Sequence, residues 1–198
     1  MKTIHSLCIG GLALLAVVSL DANAVTVGID PVAQSALVNS TVSANVTISG
    51  VNDGTAPALG HFNIDVGFNP AILQFMGVTF GNQLDVFGLG DIQDAMFNGV
   101  DSVNVLETSL DSLADVVAHQ AQNFSLFTLS FKVLAQGTSL LTPSVITLAD
   151  PNLDVFSADQ TLNGSIRGDI QSIPEPSTWL LISCGGFMAW LVTRTRRP

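Results

Sequence analysis

Cysteine, tryptophan and tyrosine are scarce in this 198-residue chain. Its two cysteines, Cys8 and Cys184, lie in apolar segments near the ends, so residues 25–170 contain no thiol. This excludes a disulfide, a thiolate nucleophile and a zinc–thiolate site from that region. The region also lacks tryptophan and tyrosine, the rings that usually stack on sugars. Phe87 and Phe97 are the remaining candidates for a ring on which a sugar stacks. The absence of tryptophan and tyrosine therefore counts against a carbohydrate site of the stacking type.

Positive charge is scarce as well. Four of the six lysines and arginines lie in the ends, so residues 25–170 contain only Lys132 and Arg167 against fourteen acidic side chains, a net charge of −12. Nucleic acid and anionic membrane surfaces are repelled by such a field. We therefore exclude a nucleic-acid-binding function.

The central region also lacks common catalytic motifs. It contains no Gly-x-Ser-x-Gly, no His-Glu-x-x-His and no glycine-rich phosphate loop. His61 lies on the polar side of a predicted strand and His119 near the end of a predicted helix, both typical of surface histidines. Glu107 could form an ion pair with Lys132 or act as a catalytic acid, although no partner group is apparent. The sequence predicts that the protein is not an enzyme.

Aspartates cluster in the glycine-rich segment 81–99 and just after it. Their spacing differs from the alternating Asp-x-Asp-x-Asp-Gly pattern of a calcium loop. Carboxylates solvated in loops are favoured, with calcium as a weak alternative, so no metal site and no cofactor are predicted. The aspartates concerned are Asp85, Asp91, Asp94, Asp101, Asp111 and Asp115.

The first 24 residues have the pattern of a secretory signal peptide. Lys2 precedes an apolar run from Leu7 to Leu20, and Ala22-Asn23-Ala24 follows it. This pattern predicts a signal helix with cleavage between Ala24 and Val25. A retained anchor is the alternative, but as a helix the run would be about 21 Å long against a hydrocarbon core of about 30 Å.

Residues 171–198 combine three features in a fixed order. Pro174-Glu175-Pro176 comes first, an apolar stretch predicted to be a membrane helix follows, and Arg194, Arg196 and Arg197 form a basic end that should remain cytoplasmic. This order closely resembles the PEP-CTERM sorting signal. The resemblance implies a Gram-negative host and an exosortase-type membrane protease that cuts near the Pro-Glu-Pro motif. An ordinary single-pass anchor is the alternative, and it would explain the arginines but not the motif.

Between these ends, residues 25–170 alternate apolar and polar side chains with a period of two. Such alternation, broken by turn signals such as Asn52-Asp53-Gly54 and Asn69-Pro70, predicts an all-β, antiparallel two-sheet sandwich. A short helix over Asp111–Gln120, capped by Asp111 or Ser112, is also predicted. The apolar phase changes between Leu126 and Phe127, which predicts a bulge or a strand buried on both faces. The predicted strands are Val25–Asp30, 42–49, 61–68, Leu73–Phe80, Ser102–Leu110, Phe124–Leu134, Ser139–Leu148 and Thr161–Asp169.

Several of these segments resemble the early strands of cohesin-like domains. They are Thr47–Val51 (TISGV), Leu59–Pro70 (LGHFNIDVGFNP) and Leu73–Phe75 (LQF), and Phe124–Phe131 (FSLFTLSF) has the same pattern. The resemblance implies a jelly-roll sandwich related to cellulose-binding modules. It also implies a protein partner on the polar side of the strand that contains His61, Asn63 and Asp65, for which plain solvent exposure is the alternative.

Together these features predict an exported, non-enzymatic binding module. It would pass through the inner membrane, be anchored there transiently by its tail, and then reach the cell surface or the extracellular matrix. There it would act in adhesion or assembly by binding a surface protein. A carbohydrate-binding module in an exopolysaccharide or biofilm matrix is the alternative.

Overall fold

The computed structural model describes residues 24–171. The predicted signal helix, the Pro-Glu-Pro motif, the predicted membrane helix and the terminal arginines lie outside these residues. Within them, no helix is long and apolar enough to cross a membrane. The elements are β1 (Thr26–Asp30), β2 (Ala33–Leu37), β3 (Thr41–Ser49), β4 (His61–Gly67), β5 (Leu73–Phe80), β6 (Asp91–Phe97), β7 (Ser102–Ser109), α1 (Leu113–His119), β8 (Asn123–Val133), β9 (Gly137–Ala149), β10 (Val155–Phe156), β11 (Gln160–Leu162) and β12 (Gly164–Asp169).

Two sheets pack face to face, which confirms the predicted β-sandwich. One sheet has the order β11-β1-β3-β8-β5, and the other has the order β2-β12-β9-β4-β7-β6 with β10 beside β9. The prediction of purely antiparallel sheets is wrong, because β1 pairs with β11 and β2 with β12 in parallel. The cause is topological: β1–β2 and β11–β12 each cross from one sheet to the other, and the two crossing ribbons run side by side.

The core lies between the sheets and is built from the apolar phase of the alternating strands. Phe62 of β4 stacks on Phe127 of β8 at 5.7 Å between ring centroids, and Phe68 packs on Phe131 at 5.1 Å. Each of these pairs joins one sheet to the other. Burial of a side chain of this size stabilises the fold by about 1.5–3 kcal/mol.

Two departures from strand alternation were predicted correctly. β8 contains a bulge: Phe127 pairs with Val46 and Ser125 with Thr47, so Leu126 is the additional residue. Helix α1 joins β7 to β8, and the Ser112 side chain accepts a hydrogen bond from the Asp115 backbone N–H. Ser112 rather than Asp111 is therefore the N-cap residue.

Some elements were not predicted. No strand was predicted where β2 and β6 lie, and the single strand expected over Thr161–Asp169 is two strands that belong to different sheets. β6 is an edge strand, exposed at six of its seven residues, so no buried phase marks it in the sequence. β2, also at an edge, buries no residue fully.

Candidate functional site

The outward side of the four neighbouring strands β9, β4, β7 and β6 forms one continuous surface, which we call the outer face. In β4 the residues Phe62, Ile64 and Val66 are buried, so His61, Asn63 and Asp65 point outward between them. The prediction that these three side chains share the polar side of one strand is thus met by the structure. Whether a partner binds them stays a prediction.

A hydrogen-bond network fixes these side chains. Asn104 of β7, which lies opposite Asp65 in the sheet, donates through Nδ2 to Asn63 Oδ1 at 2.6 Å and to Asp65 Oδ1 at 2.8 Å. His61 Nδ1 lies 2.8 Å from Thr108 Oγ1. Burial lowers the pKa of His61, which favours its neutral form at neutral pH. The network therefore presents fixed, ordered polar atoms and the negative charge of Asp65.

Apolar side chains lie on both sides of this polar strip. Ile92 and Met96 of β6 are 56% and 63% exposed, and Leu140 and Ile146 of β9 are exposed on the other side. These four side chains give the outer face an apolar margin on each side of the polar strip.

The sequence alone did not identify Asn104 or the β6 residues as parts of this surface. Asn104 belongs to a predicted strand, so the outward direction of its side chain could be predicted from the sequence. Its position opposite Asp65 could not be predicted, because the pairing of strands depends on the whole fold. β6 had not been recognised as a strand.

Glu107 is not paired with Lys132, because Glu107 points into the core whereas Lys132 lies on the outward side of the other sheet. Glu107 is 1% exposed and accepts a hydrogen bond from Gln93 Nε2 at 3.2 Å. Burial, and then a hydrogen bond shared with Asp91, raise the pKa of Glu107 to about 8, with smaller contributions from the charges of Asp91 and Asp85. Glu107 is therefore a neutral, buried acid at neutral pH, and substrates on the surface cannot reach it.

Two aspartates hold the loop of residues 85–90 in place, Asp111 from outside the loop and Asp85 from within it. Asp111 is buried, and its two carboxylate oxygens accept hydrogen bonds from the backbone N–H groups of Phe87 and Leu89 at 2.8 and 3.2 Å. Asp85 accepts from the Gly90 N–H at 2.8 Å. The interpretation of Asp111 as a solvated loop carboxylate is therefore wrong. Within residues 24–171, no three metal-ligating side chains come close enough together to hold an ion.

The two phenylalanines considered as sugar platforms are exposed but lie apart from the network. Phe97 stacks on Phe68 and lies 6.0 Å from Phe75, where it covers the gap between the edges of the two sheets. Phe87 lies 6.2 Å from His119, whose Nδ1 is 2.8 Å from the Asp115 carbonyl oxygen in the last turn of α1. Neither ring lies among the polar side chains of the outer face.

The predicted cleavage point is at the start of the described residues. Ala24 is exposed, whereas Val25 is 4% exposed and its backbone N–H donates to Asp159 Oδ2 at 2.7 Å. The carbonyl of Val25 accepts hydrogen bonds from the N–H groups of Asp159 and Gln160. Val25 is thus the first of the described residues whose backbone is hydrogen-bonded to the rest of the sandwich on both its N–H and its C=O.

Comparison of the sequence with family models and with curated proteins finds no match. Comparison of the structure finds cohesins. A non-cellulosomal cohesin of Archaeoglobus fulgidus matches with a TM-score of 0.54 and 21% identity, over 75% of this chain and 92% of that one. The seventh ScaB type I cohesin of Pseudobacteroides cellulosolvens gives 0.57 and 17%, over 77% and 96%.

A third similar structure is the sixth cohesin of scaffoldin B from Acetivibrio cellulolyticus, solved in complex with a dockerin. Its TM-score is 0.58 at 15% identity, over 74% of this chain and 100% of that one. All three match nearly whole domains at identities that show the fold alone. The sandwich formed by residues 24–171 therefore has the cohesin fold.

Proposed function

We propose that this protein is an exported, non-enzymatic assembly module that binds a protein partner through its outer face. The observation that carries the proposal is the network in which Asn104 holds Asn63 and Asp65 in fixed positions on a sheet surface with exposed apolar margins. Polar groups that are already ordered cost little further entropy when a partner binds them.

The charge of the surface and its lack of aromatic rings favour a protein over a sugar. On their outward side the strands of the outer face carry Asp65 and Asp94 and neither lysine nor arginine, so a partner with basic side chains fits best. The similar cohesin of Acetivibrio cellulolyticus was solved with a protein bound to it, which supports the same kind of partner here. The carbohydrate alternative lacks support, since no phenylalanine ring of the described residues lies within the polar strip.

A charge reversal at the centre of the network tests this proposal. Asp65→Lys should weaken binding to the partner protein about 30-fold or more, because it removes an acceptor of the network and places a cation in its centre. Affinity is measured by calorimetry with a partner captured from the cell envelope. Asp30→Lys is the matched control, because Asp30 is exposed on the other sheet and the change in charge is the same. Equal weakening by both variants would contradict the proposal.

We further propose that the tail directs export and sorting. Pro174-Glu175-Pro176, the apolar stretch and Arg194, Arg196 and Arg197 support processing by an exosortase-type protease in the inner membrane, followed by release to or attachment at the cell surface. The signal-peptide pattern ending at Ala24 supports the preceding export step.

The sorting proposal predicts that Glu175→Ala blocks processing, because the substitution removes the charged centre of the motif. The mature C-terminus is identified by mass spectrometry of the protein recovered from the envelope and the medium. Arg196→Lys, which keeps the basic charge of the tail, is the control and should be processed normally. An unchanged C-terminus in the Glu175→Ala variant would refute the processing role of the motif.

A further inference from the structure

β6 is an edge strand: one of its edges pairs with β7, and the other edge pairs with no strand of the described residues. It ends the sheet order beside β7 and keeps one register along its whole length, without a bulge. Natural sheets usually protect such edges with charged side chains (lysine above all), proline, bulges or short strands. Two of the other edges follow that rule, because β11 has only three residues and β5 contains a bulge at Met76. β6 has seven residues and no lysine, proline or bulge, and its only charged side chains are Asp91 and Asp94.

The direction of the free backbone groups follows from the pairing with β7. Asn98 N–H donates to the Ser102 carbonyl, and Leu110 N–H donates to the Gly90 carbonyl. Hydrogen-bonded pairs alternate along an antiparallel ladder, so the even-numbered residues of β6 bond to β7. The N–H and C=O groups of Gln93, Ala95 and Phe97 therefore point to the open edge.

The side chains along this edge show what could bind there. Ile92, Asp94 and Met96 lie on the outer face at every second residue of β6, and all three side chains are exposed. Within the described residues, no hydrogen bond or ion pair involves the Asp94 carboxylate. Two apolar side chains thus flank an unpaired negative charge.

From these observations we infer that β6 binds an extended, basic segment of a partner protein as an additional strand. The segment has the pattern apolar-x-Lys/Arg-x-apolar, so that its basic side chain lies beside Asp94 and its apolar side chains lie beside Ile92 and Met96. This pattern reads the same in both directions and fits a parallel or an antiparallel strand. A second copy of this chain is disfavoured as the occupant, because each domain has a net charge of −12. The inference deepens the proposed function by naming the chemistry of the partner at one margin of the outer face.

The experiment is hydrogen exchange of the full chain with a synthetic probe. The probe is the blocked peptide Thr-Val-Thr-Lys-Thr-Val-Thr, and its matched control has glutamate in place of lysine. At saturation the lysine peptide should slow exchange in the segment 91–98 about fivefold, as expected for new backbone hydrogen bonds worth about 1 kcal/mol each. The glutamate peptide should bind about tenfold more weakly.

Two variants make the result decisive. Ala95→Pro removes an N–H group that points to the open edge and not to β7, so it should abolish the protection, whereas Ala95→Val keeps the N–H and should preserve it. Asp94→Lys should bind the glutamate peptide and reject the lysine peptide, which keeps the test valid if the proline variant does not fold.

The inference is overturned if the lysine peptide fails to protect segment 91–98, if Ala95→Pro binds it as well as Ala95→Val does, or if the segment is protected by dimerisation without peptide. Its failure is distinct from failure of the proposed function, because the Asp65→Lys test probes β4 and leaves the β6 edge intact.

Discussion

Glu107 is the residue whose environment departs most from its ordinary chemistry. It is buried beside the carboxyl group of Asp91, and its pKa is raised to about 8. Because this value is above that of the unfolded chain, the protonated group's contribution to stability is complete below about pH 4.5 and is lost as the pH rises through 8. The domain should therefore be less stable at pH 9 than at pH 5 on account of this residue.

Glu107→Gln tests this pH dependence, since glutamine is neutral at every pH and can still donate to Asp91. The variant should melt close to the wild type at pH 5 and about 5 °C higher at pH 9, as measured by thermal unfolding. Gln74→Glu is the control for charge alone, because Gln74 is exposed on β5 of the other sheet. Parallel pH profiles of wild type and Glu107→Gln would contradict this account.

The contact between Val25 and Asp159 gives a second residue-scale prediction. If the signal peptide is removed before Val25, the new ammonium group lies at the Asp159 carboxylate, 2.7 Å away, and forms a charge-assisted hydrogen bond. A chain that begins at Ala24 instead keeps an uncharged backbone N–H at Val25. Asp159→Asn should therefore lower the melting temperature of the chain beginning at Val25 by about 3 °C more than that of the chain beginning at Ala24. Equal losses in the two chains would show that the ammonium group does not use this carboxylate.

Single residues were predictable from the sequence where only the direction of a side chain was needed. His61, Asn63 and Asp65 alternate with buried residues, and this alternation alone fixes their outward direction. The partner of Glu107 was not predictable, because it depends on which strands become neighbours. Asn104 and Asp65 are 39 residues apart in sequence, and only the register of β4 and β7 brings them together.

Among the elements, the strands that bury one side could be predicted from the sequence, and the strands that do not could not. β3, β4, β7 and β8 lie inside the sheets and show an apolar phase, so their bounds were predicted to within one or two residues. β2 and β6 lie at edges and have no fully buried side chain, so the hydrophobic pattern does not mark them. Edge strands of this kind cannot be predicted from the alternation of apolar and polar side chains.

The helix and the bulge were recognisable because their signals are local. Ser112 and Asp115 have the spacing of an N-cap and its partner, and the change of apolar phase at Leu126 is visible within a single strand. The division of the last predicted strand into β11 and β12 could not be recognised in this way. The first half pairs with β1 and the second half with β9 of the other sheet, and no local signal in the sequence marks that change.

At the scale of the whole molecule, the sandwich class followed from composition and alternation, but the order of its strands did not. The parallel pairs at the ends of the two sheets result from ribbons that cross between sheets, and such crossings carry no local signal. The charge of −12 over residues 25–170, in contrast, is a global property that can be counted directly from the residues. It favours a basic partner for the molecule as a whole.

The most direct measurement of the central claim is photo-crosslinking from the two sheets. A photo-reactive amino acid replaces Ser144, which is exposed on the outer face opposite Asp65, or Ser43, which is exposed on the other sheet. If a partner protein binds the outer face, a covalent adduct of one defined protein forms from position 144 and no such adduct forms from position 43. Adducts of equal yield from both positions, or an adduct from position 43 alone, would contradict the claim.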